Sequence, residues 1–342
     1  MSLTGERQAG HLLLLGETRF LPAADVERKQ KADYARQAHS AQNREDRAME
    51  KYGVGSRSSI NAWRKTMNDA VLSPTLLRSF DTRRAVRLAV TTWFGIAAIG
   101  HAIFLAYILA VFYPPIAQSG LQGLQGLEHL PAGFREGDTL GNLAAVFHVL
   151  LAAIVIGGGP LQLIPAVRRY ASGFHRWLGR SYLLAAVISS VGGLYMIWTR
   201  HSLGDVVAQI TISIDGVLIL LFAFLALRNA MAGRFVEHRR WALRLFLVAS
   251  AVWFFRVALM GWATLTGGWG IDWESFTGPF LSALGVGQYL IPLAMLEWYF
   301  HCQTREAGQG AQLAFVSTLV PLTVFMAIGI FAATMGMWLP RI

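Results

Sequence analysis

The stretch GNLAAVFHVLLAAIVIGGGPLQLIPAV, Gly141 to Val167, runs for 27 residues without a formal charge and stops at Arg168-Arg169. A helix crosses the roughly 30 Å hydrocarbon core of a bilayer with about 20 apolar residues, so this stretch is long enough to span one. Lipid offers backbone groups no partners, which leaves a helix or a closed barrel. The stretch lacks the apolar–polar alternation of a barrel strand. It predicts a membrane-spanning helix.

Six further runs on either side read the same way: Leu88–Tyr113, Ser181–Trp198, Val206–Leu227, Leu245–Leu265, Ser275–Leu296 and Leu313–Leu339. The fold expected is all-α, a polytopic membrane bundle of seven transmembrane helices. Composition agrees, with 54% hydrophobic and only 15% charged residues in 342, and a mean hydropathy of +0.43. Those values exclude an ordinary water-soluble enzyme. The single cysteine, Cys302, excludes an intramolecular disulfide and any cysteine-based zinc or iron–sulfur centre within the chain.

The net charge of +10 falls between the apolar runs. All four lysines (Lys29, Lys31, Lys51, Lys65) precede the first run, and every later positive charge is an arginine. Arg83, Arg84 and Arg87 precede the first run. Arg168, Arg169, Arg176 and Arg180 separate the second from the third, and Arg228, Arg234, Arg239, Arg240 and Arg244 the fourth from the fifth. The alternate connections hold only Arg135 and Arg200, then Asp272 and Glu274 without a base. Cytoplasmic loops retain Lys and Arg, so the amino terminus is expected inside and the carboxyl terminus outside, in a bacterial inner membrane. Arg305 beside Glu306 marks the least basic inner loop.

Residues 1–80 are a different polymer, rich in Arg, Lys, Gln, Glu and Ala: Ala23–Tyr52 suits a charged helix without an apolar face wide enough for a core. They are expected to form a flexible cytoplasmic extension to a membrane domain over 81–342. Leu12–Leu15 is too short for a signal peptide, and Met67 is an alternative start. Residues 121–130, with their repeated Leu-Gln-Gly, suit a short interfacial segment.

An internal repeat stands at the basic connections. Arg176-Trp177-Leu178-Gly179-Arg180 and Arg240-Trp241-Ala242-Leu243-Arg244 share the pattern R-W-x-x-R, with His175 and His238 just upstream. Two hairpins, 141–200 and 206–265, are therefore expected as a repeated core. Arginines four apart share a helix face, and a helix amino terminus adds unpaired N–H groups, so Arg176, Arg180, Arg240 and Arg244 suit an anion, whether lipid phosphate or a cofactor carboxylate.

Ionisable groups inside apolar runs invite functional readings. His101, His148, Asp215 and Arg256 are the clear cases. Asp215 and Arg256 lie on consecutive spans at similar depth and are expected to form a buried ion pair. Glu297, at the inner end of its run, suits a partner for an inner arginine. The histidines suit axial ligation of haem b, with His101 and His148 as an outer pair and His175 and His238 as an inner pair, His148, His175 and His238 being the metal-ligand candidates. The alternative is a hydrogen-bonded core or pathway role. No C-x-x-C-H, Walker or dinucleotide fingerprint, serine triad or metalloprotease motif is present, and no catalytic residue is assigned. Nothing points to nucleic acid. The glycines and serines of Gly157–Gly159 and Ser189–Gly193 suit close helix packing.

His148, Gly159-Pro160-Leu161-Gln162, His175-Arg176-Trp177-Leu178-Gly179-Arg180 with Tyr182, and His238-Arg239-Arg240-Trp241 with Arg244 together resemble the multi-pass membrane family designated domain of unknown function 2306, over about residues 140–265. The resemblance implies that His148, His175, Arg180 and His238 form one functional unit, and it implies no particular reaction. The arrangement of histidines on bundled helices is also similar, more loosely, to cytochrome b561-type electron carriers. Two functions stay open: haem-associated or quinone-linked membrane electron transfer with a redox partner, and a transporter or anionic-lipid-binding protein with a polar intramembrane pathway.

Overall fold

The structure, a computed structural model, describes residues 81–125, 133–200, 205–304 and 306–342, with scattered residues between 32 and 65. The chain divides into two units, Met1–Phe80 and Asp81–Ile342. In the first, the described residues are helical and exposed. Leu12–Leu15, Met67, residues 126–130 and Arg305 lie outside the described residues.

Numbered from residue 81, the helices are α1 (Thr82–Val111), α2 (Tyr113–Ser119), α3 (Thr139–Leu163), α4 (Pro165–Tyr170), α5 (Ser172–Arg200), α6 (Val206–Met231), α7 (Phe235–Ala249), α8 (Ala251–Thr266), α9 (Pro279–Cys302) and α10 (Gln309–Ala333). A 3-10 turn, Gly120–Leu124, follows α2, and Leu124 is buried beneath α3. A π-helical turn (Thr334–Trp338) and a 3-10 turn (Leu339–Arg341) follow α10. Among the described residues there is no strand, only an isolated bridge between Asp272 and Thr277. Helices α1, α3, α5, α6, α9 and α10 are each long and apolar enough to cross a membrane, and α7 with α8 make a seventh span when taken as one bent unit. The all-α membrane bundle expected from the sequence is the fold observed. The ends carrying Arg168–Arg180 and Arg228–Arg244 are called the basic end below, and the opposite end the far end.

Several helices begin before their charge-free runs. Asp81 caps α1 by accepting from the Arg84 N–H at 3.0 Å, so α1 starts six residues ahead of Leu88 and carries Arg83, Arg84 and Arg87 in its first turns. Asp138 and Asp205 cap α3 and α6 in the same way, at 2.9 Å each. Helix α9 instead starts later than Ser275, at Pro279. Asp272 accepts hydrogen bonds from the Glu274 N–H and the Ser275 hydroxyl and holds residues 272–277 as a turn.

Packing puts α3 at the centre. It runs along α5 and also meets α1 and α7, while α6 packs on α5 and α7, and α10 on α1 and α8. Three consecutive glycines of α3 face three different helices. Gly157 lies under Leu105 of α1, Gly158 against Leu178 and Tyr182 of α5, and Gly159 against the Phe246 ring of α7. Small residues here serve close approach, as in other membrane bundles.

The fifth span bends by 49° between α7 and α8. No proline or glycine stands at the break. Ser250 occupies it with φ −93° and ψ 0°, and its backbone carbonyl accepts from both Trp253 and Phe254.

Candidate functional site

His101 is 1% exposed and fully engaged. Its Nδ1 lies 2.8 Å from the Ala97 carbonyl and its Nε2 3.1 Å from the Ser250 hydroxyl. A carbonyl only accepts, so Nδ1 donates and Nε2 of the neutral ring accepts from Ser250. Trp253 covers the ring at 4.1 Å between centroids, and Phe246 lies 5.6 Å away. His101 thus bonds the residue at which the fifth span bends. His148 turns elsewhere: its Nδ1 donates to the Ser189 carbonyl of α5 at 2.9 Å, and the ring lies over Gly193. The two rings of the expected outer pair thus serve different helices.

The expected Asp215–Arg256 ion pair does not form. Among the described residues Arg256 has no carboxylate within ion-pair distance. It donates to the Val252 carbonyl at 3.1 Å and lies over the Phe104 ring at 5.6 Å. Asp215 is 5% exposed, and its Oδ1 is buried without a hydrogen-bond partner. The sequence argument assumed that the fifth span is straight. Its bend leaves α6 packed on α7, while α8 turns to α9 and α10. Ser190 of α5 donates to the Gly216 carbonyl at 2.8 Å and Thr211 abuts Gly285, and Asp215 lies within electrostatic reach of Tyr289 of α9.

At the basic end the two copies of R-W-x-x-R play different parts. Arg176, Trp177 and Arg180 of α5 are exposed, beside the exposed Tyr170 and Phe174. Cations and aromatic rings side by side suit the head-group layer. In the second copy, Arg244 makes a two-pronged pair with Glu297 of α9, at 2.7 and 2.9 Å, and lies over Trp241 and Phe300. Arg240 also lies over Phe300, at 5.5 Å. Glu297 therefore answers an arginine, as the sequence suggests, and only the first copy keeps both guanidinium groups turned outward. The inner histidines do come together: His175 is within electrostatic reach of His238 and of Arg168. His238 Nδ1 donates to the Ala226 carbonyl at 2.9 Å, Gln162 donates to the His175 carbonyl at 3.0 Å, and His175 Nδ1 is buried without a partner. Among the described residues no group of three or more His, Cys, Asp or Glu side chains is placed to hold a metal ion.

Residues 145–270 match the family model DUF2306, a predicted membrane protein. The DUF2306 match runs from α3 through α8 and includes His148, His175, Asp215, His238 and Arg256. It agrees with the resemblance carried by the H-R-W-L-G-R block. No curated protein and no solved structure matches the chain.

Beside the DUF2306 segment lies a cavity of about 510 Å³ bounded by α1, α7, α8, α9 and α10, with Leu163 and Pro165 also in its wall. Along α9 its wall extends from Leu284 to Tyr299, which at 1.5 Å per residue is roughly 22 Å along the helix. The wall is apolar, with Thr91, Gln288 and Tyr299 as polar interruptions. Arg239 at the basic end is the one charged residue among those described in the lining. Arg239 was not among the sequence candidates, which favoured Arg240 and Arg244. The spacing held the signal: Arg239, Leu243, Phe246 and Leu247 lie at i, i+4, i+7 and i+8, one stripe of α7, and all four line the cavity.

Arg200, which the sequence sets with Arg135 in the sparsely charged connections, was not among the site candidates either. It is 1% exposed and bonds Asp138 at 2.9 Å, the Asn142 side chain at 2.8 Å and the Gly141 carbonyl at 3.1 Å. Arg135 caps the arrangement: its side chain donates to the Arg200 carbonyl at 2.6 Å, its backbone N–H donates to Asn142 Oδ1, and its carbonyl accepts from Asn142 Nδ2. This knot joins the far ends of α3 and α5.

Proposed function

We propose that this multi-pass membrane protein binds a long-chain amphiphile, with its acyl or isoprenoid chain in the α1/α7–α10 cavity and an anionic or carbonyl head group at Arg239. One observation carries the reading: a long apolar cavity whose single charge sits at the basic end. A chain ordered along the membrane normal gains apolar contact throughout the cavity, and the guanidinium offers five donors to oxygen atoms of a head group. Both a membrane quinone and an anionic lipid have this chemistry, so the reading joins the quinone-linked and lipid-binding alternatives at one site. The exposed Arg176 and Arg180 would hold neighbouring lipid head groups, and the basic end would face the cytosol.

Mass spectrometry of protein purified in mild detergent tests it. The expected result is an amphiphile retained near one per chain and lost from Arg239→Gln and from Gly287→Phe, which fills the cavity. A compound whose absorbance changes on chemical reduction identifies a quinone; one without such a change is a lipid. Wild-type protein that retains nothing, or variants that retain as much as wild type, overturn the reading. Labelling of Gly233→Cys in a Cys302→Ser background from either side of sealed vesicles tests the orientation.

A second reading rests on His175, whose Nδ1 is buried without a partner beside His238. Two neutral imidazoles on opposite sides are sufficient to ligate a haem iron axially. His101 does not join them, since both of its nitrogens are bonded within the protein. A reducible Soret and α band in purified protein, lost in His175→Ala and in His238→Ala, is the expected result; colourless protein from haem-replete cells ends this reading.

A further inference from the structure

We propose that the far half of the bundle contains an oxyanion-binding site, for a carboxylate or a phosphate group, centred on the guanidinium of Arg256 between α1, α3, α8 and the C-terminal turn. Arg256 lies ten residues before the end of α8, roughly 15 Å along the helix from Thr266. A guanidinium keeps its charge in proteins, and in hydrocarbon such a charge requires a counter-charge or water. The carboxylate expected to pair with it, Asp215, makes no ion pair with it and lies within electrostatic reach of Tyr289 instead. Of the five N–H donors that an arginine carries, one is committed, to the Val252 carbonyl at 3.1 Å, while Phe104 covers one face at 5.6 Å.

The surroundings add positive charge. Arg341 of the C-terminal turn is within electrostatic reach of Arg256, as are Tyr107 and His148. That turn is held in place: Trp338 is 1% exposed and packs on Phe104 and Tyr107, with centroids 5.0 and 6.4 Å away. The Trp338 Nε1–H is itself buried without an acceptor. Two guanidinium groups thus lie within electrostatic reach of each other, with an orphaned N–H donor on the turn that carries Arg341, and no carboxylate among the described residues bonds either arginine. Like charges held together repel unless an anion lies between them. An oxyanion supplies the missing acceptors and the missing charge at once. Its source is either a soluble anion or the head group of a lipid, and both present the same oxygen atoms.

Thermal unfolding of the full chain in nanodiscs distinguishes these sources and tests the site. Wild type, Arg256→Gln and Arg341→Gln are compared in phosphatidylcholine discs titrated with inorganic phosphate or acetate against chloride at equal ionic strength, and in discs with added phosphatidylglycerol. A saturable rise in the wild-type melting temperature with a free oxyanion assigns a soluble anion; a rise confined to phosphatidylglycerol discs assigns the lipid. In either case the response is lost in Arg256→Gln, and its midpoint is weakened by about tenfold or more in Arg341→Gln. Arg341 is exposed, so Arg341→Gln decides alone if Arg256→Gln does not fold. No wild-type response in any arm, or an undiminished response in the folded variants, overturns the proposal.

Discussion

Arg200 and Asp138 meet at 2.9 Å where the far ends of α3 and α5 close on each other, with the guanidinium 1% exposed. The pair also positions Gly141, since a Cβ there would collide with both side chains. Removing one member strands the other partners: Arg200→Gln leaves Asp138, the Asn142 side chain and the Gly141 carbonyl short of donors. Breaking a buried pair typically costs about 3–5 kcal/mol. Arg200→Gln is expected to lose that much in detergent unfolding, and the Asp138→Asn/Arg200→Gln double variant less than the sum of the two single losses.

Ser250→Ala leaves His101 Nε2 buried without a donor. The expected loss is about 1–3 kcal/mol. His101→Phe in the same background restores part of it, because an apolar ring has no nitrogen to satisfy and already has Trp253 and Phe246 to pack against. Melting temperatures of the two single variants and the double variant give the comparison; no recovery in the double variant would mean that the bond does not control the bend.

Gly158 and Gly159 are adjacent yet differ in tolerance. A Cβ on Gly159 falls 2.9 Å from the Phe246 ring, whereas one on Gly158 falls 3.4 Å from Leu178, an ordinary contact. Gly159→Ala is expected to cost about 1–3 kcal/mol as overpacking. Gly158→Ala is expected to be neutral or to stabilise by up to about 1 kcal/mol, through helix propensity. Equal effects at the two positions would contradict this packing.

Asp272 is the pH-sensitive group of the far-side loop. The Ser275 hydroxyl first, then the backbone N–H groups of Ser275 and Glu274, hold its carboxyl below the usual carboxylate range. A depressed value means that the stabilisation is complete above the unfolded value of about 3.9 and is lost as pH falls through the folded one. Acid titration of tryptophan fluorescence should report this, since Trp273 and Trp269 stand in the loop and are exposed. Asp272→Asn should remove the transition; an unchanged transition would assign it to another group.

The spans were legible because bilayer thickness writes itself into the length of charge-free sequence, and Gly141–Val167 needs little else. That Glu297 answers an inner arginine was legible for a similar reason, as a charge at the basic end of its span; that the arginine is Arg244 was not. The bend at Ser250 was not. Its break residue bonds His101, 149 residues earlier in the chain, and no proline or glycine announces it. The Asp215–Arg256 reading failed with it, because pairing by depth along consecutive helices presumes that both are straight. Arg200 shows the opposite failure. A lone arginine in a polar loop looks solvated until tertiary structure brings Asp138 and Asn142 around it.

Helices α1, α3, α5, α6, α9 and α10 are each long and apolar enough to cross a membrane alone, whereas α7 and α8 reach that threshold only together and carry Arg256 besides. An arginine at the centre of an inserting helix adds about 2.5–3.5 kcal/mol to the insertion free energy. Phe104, which covers that guanidinium, is made before it, and Trp338, which anchors the neighbouring turn, well after it. The fifth span is therefore expected to settle fully only after the seventh emerges from the ribosome. Nascent chains halted before α10 should still expose an engineered glycosylation site in the α8–α9 loop variably, and those halted after Arg341 uniformly.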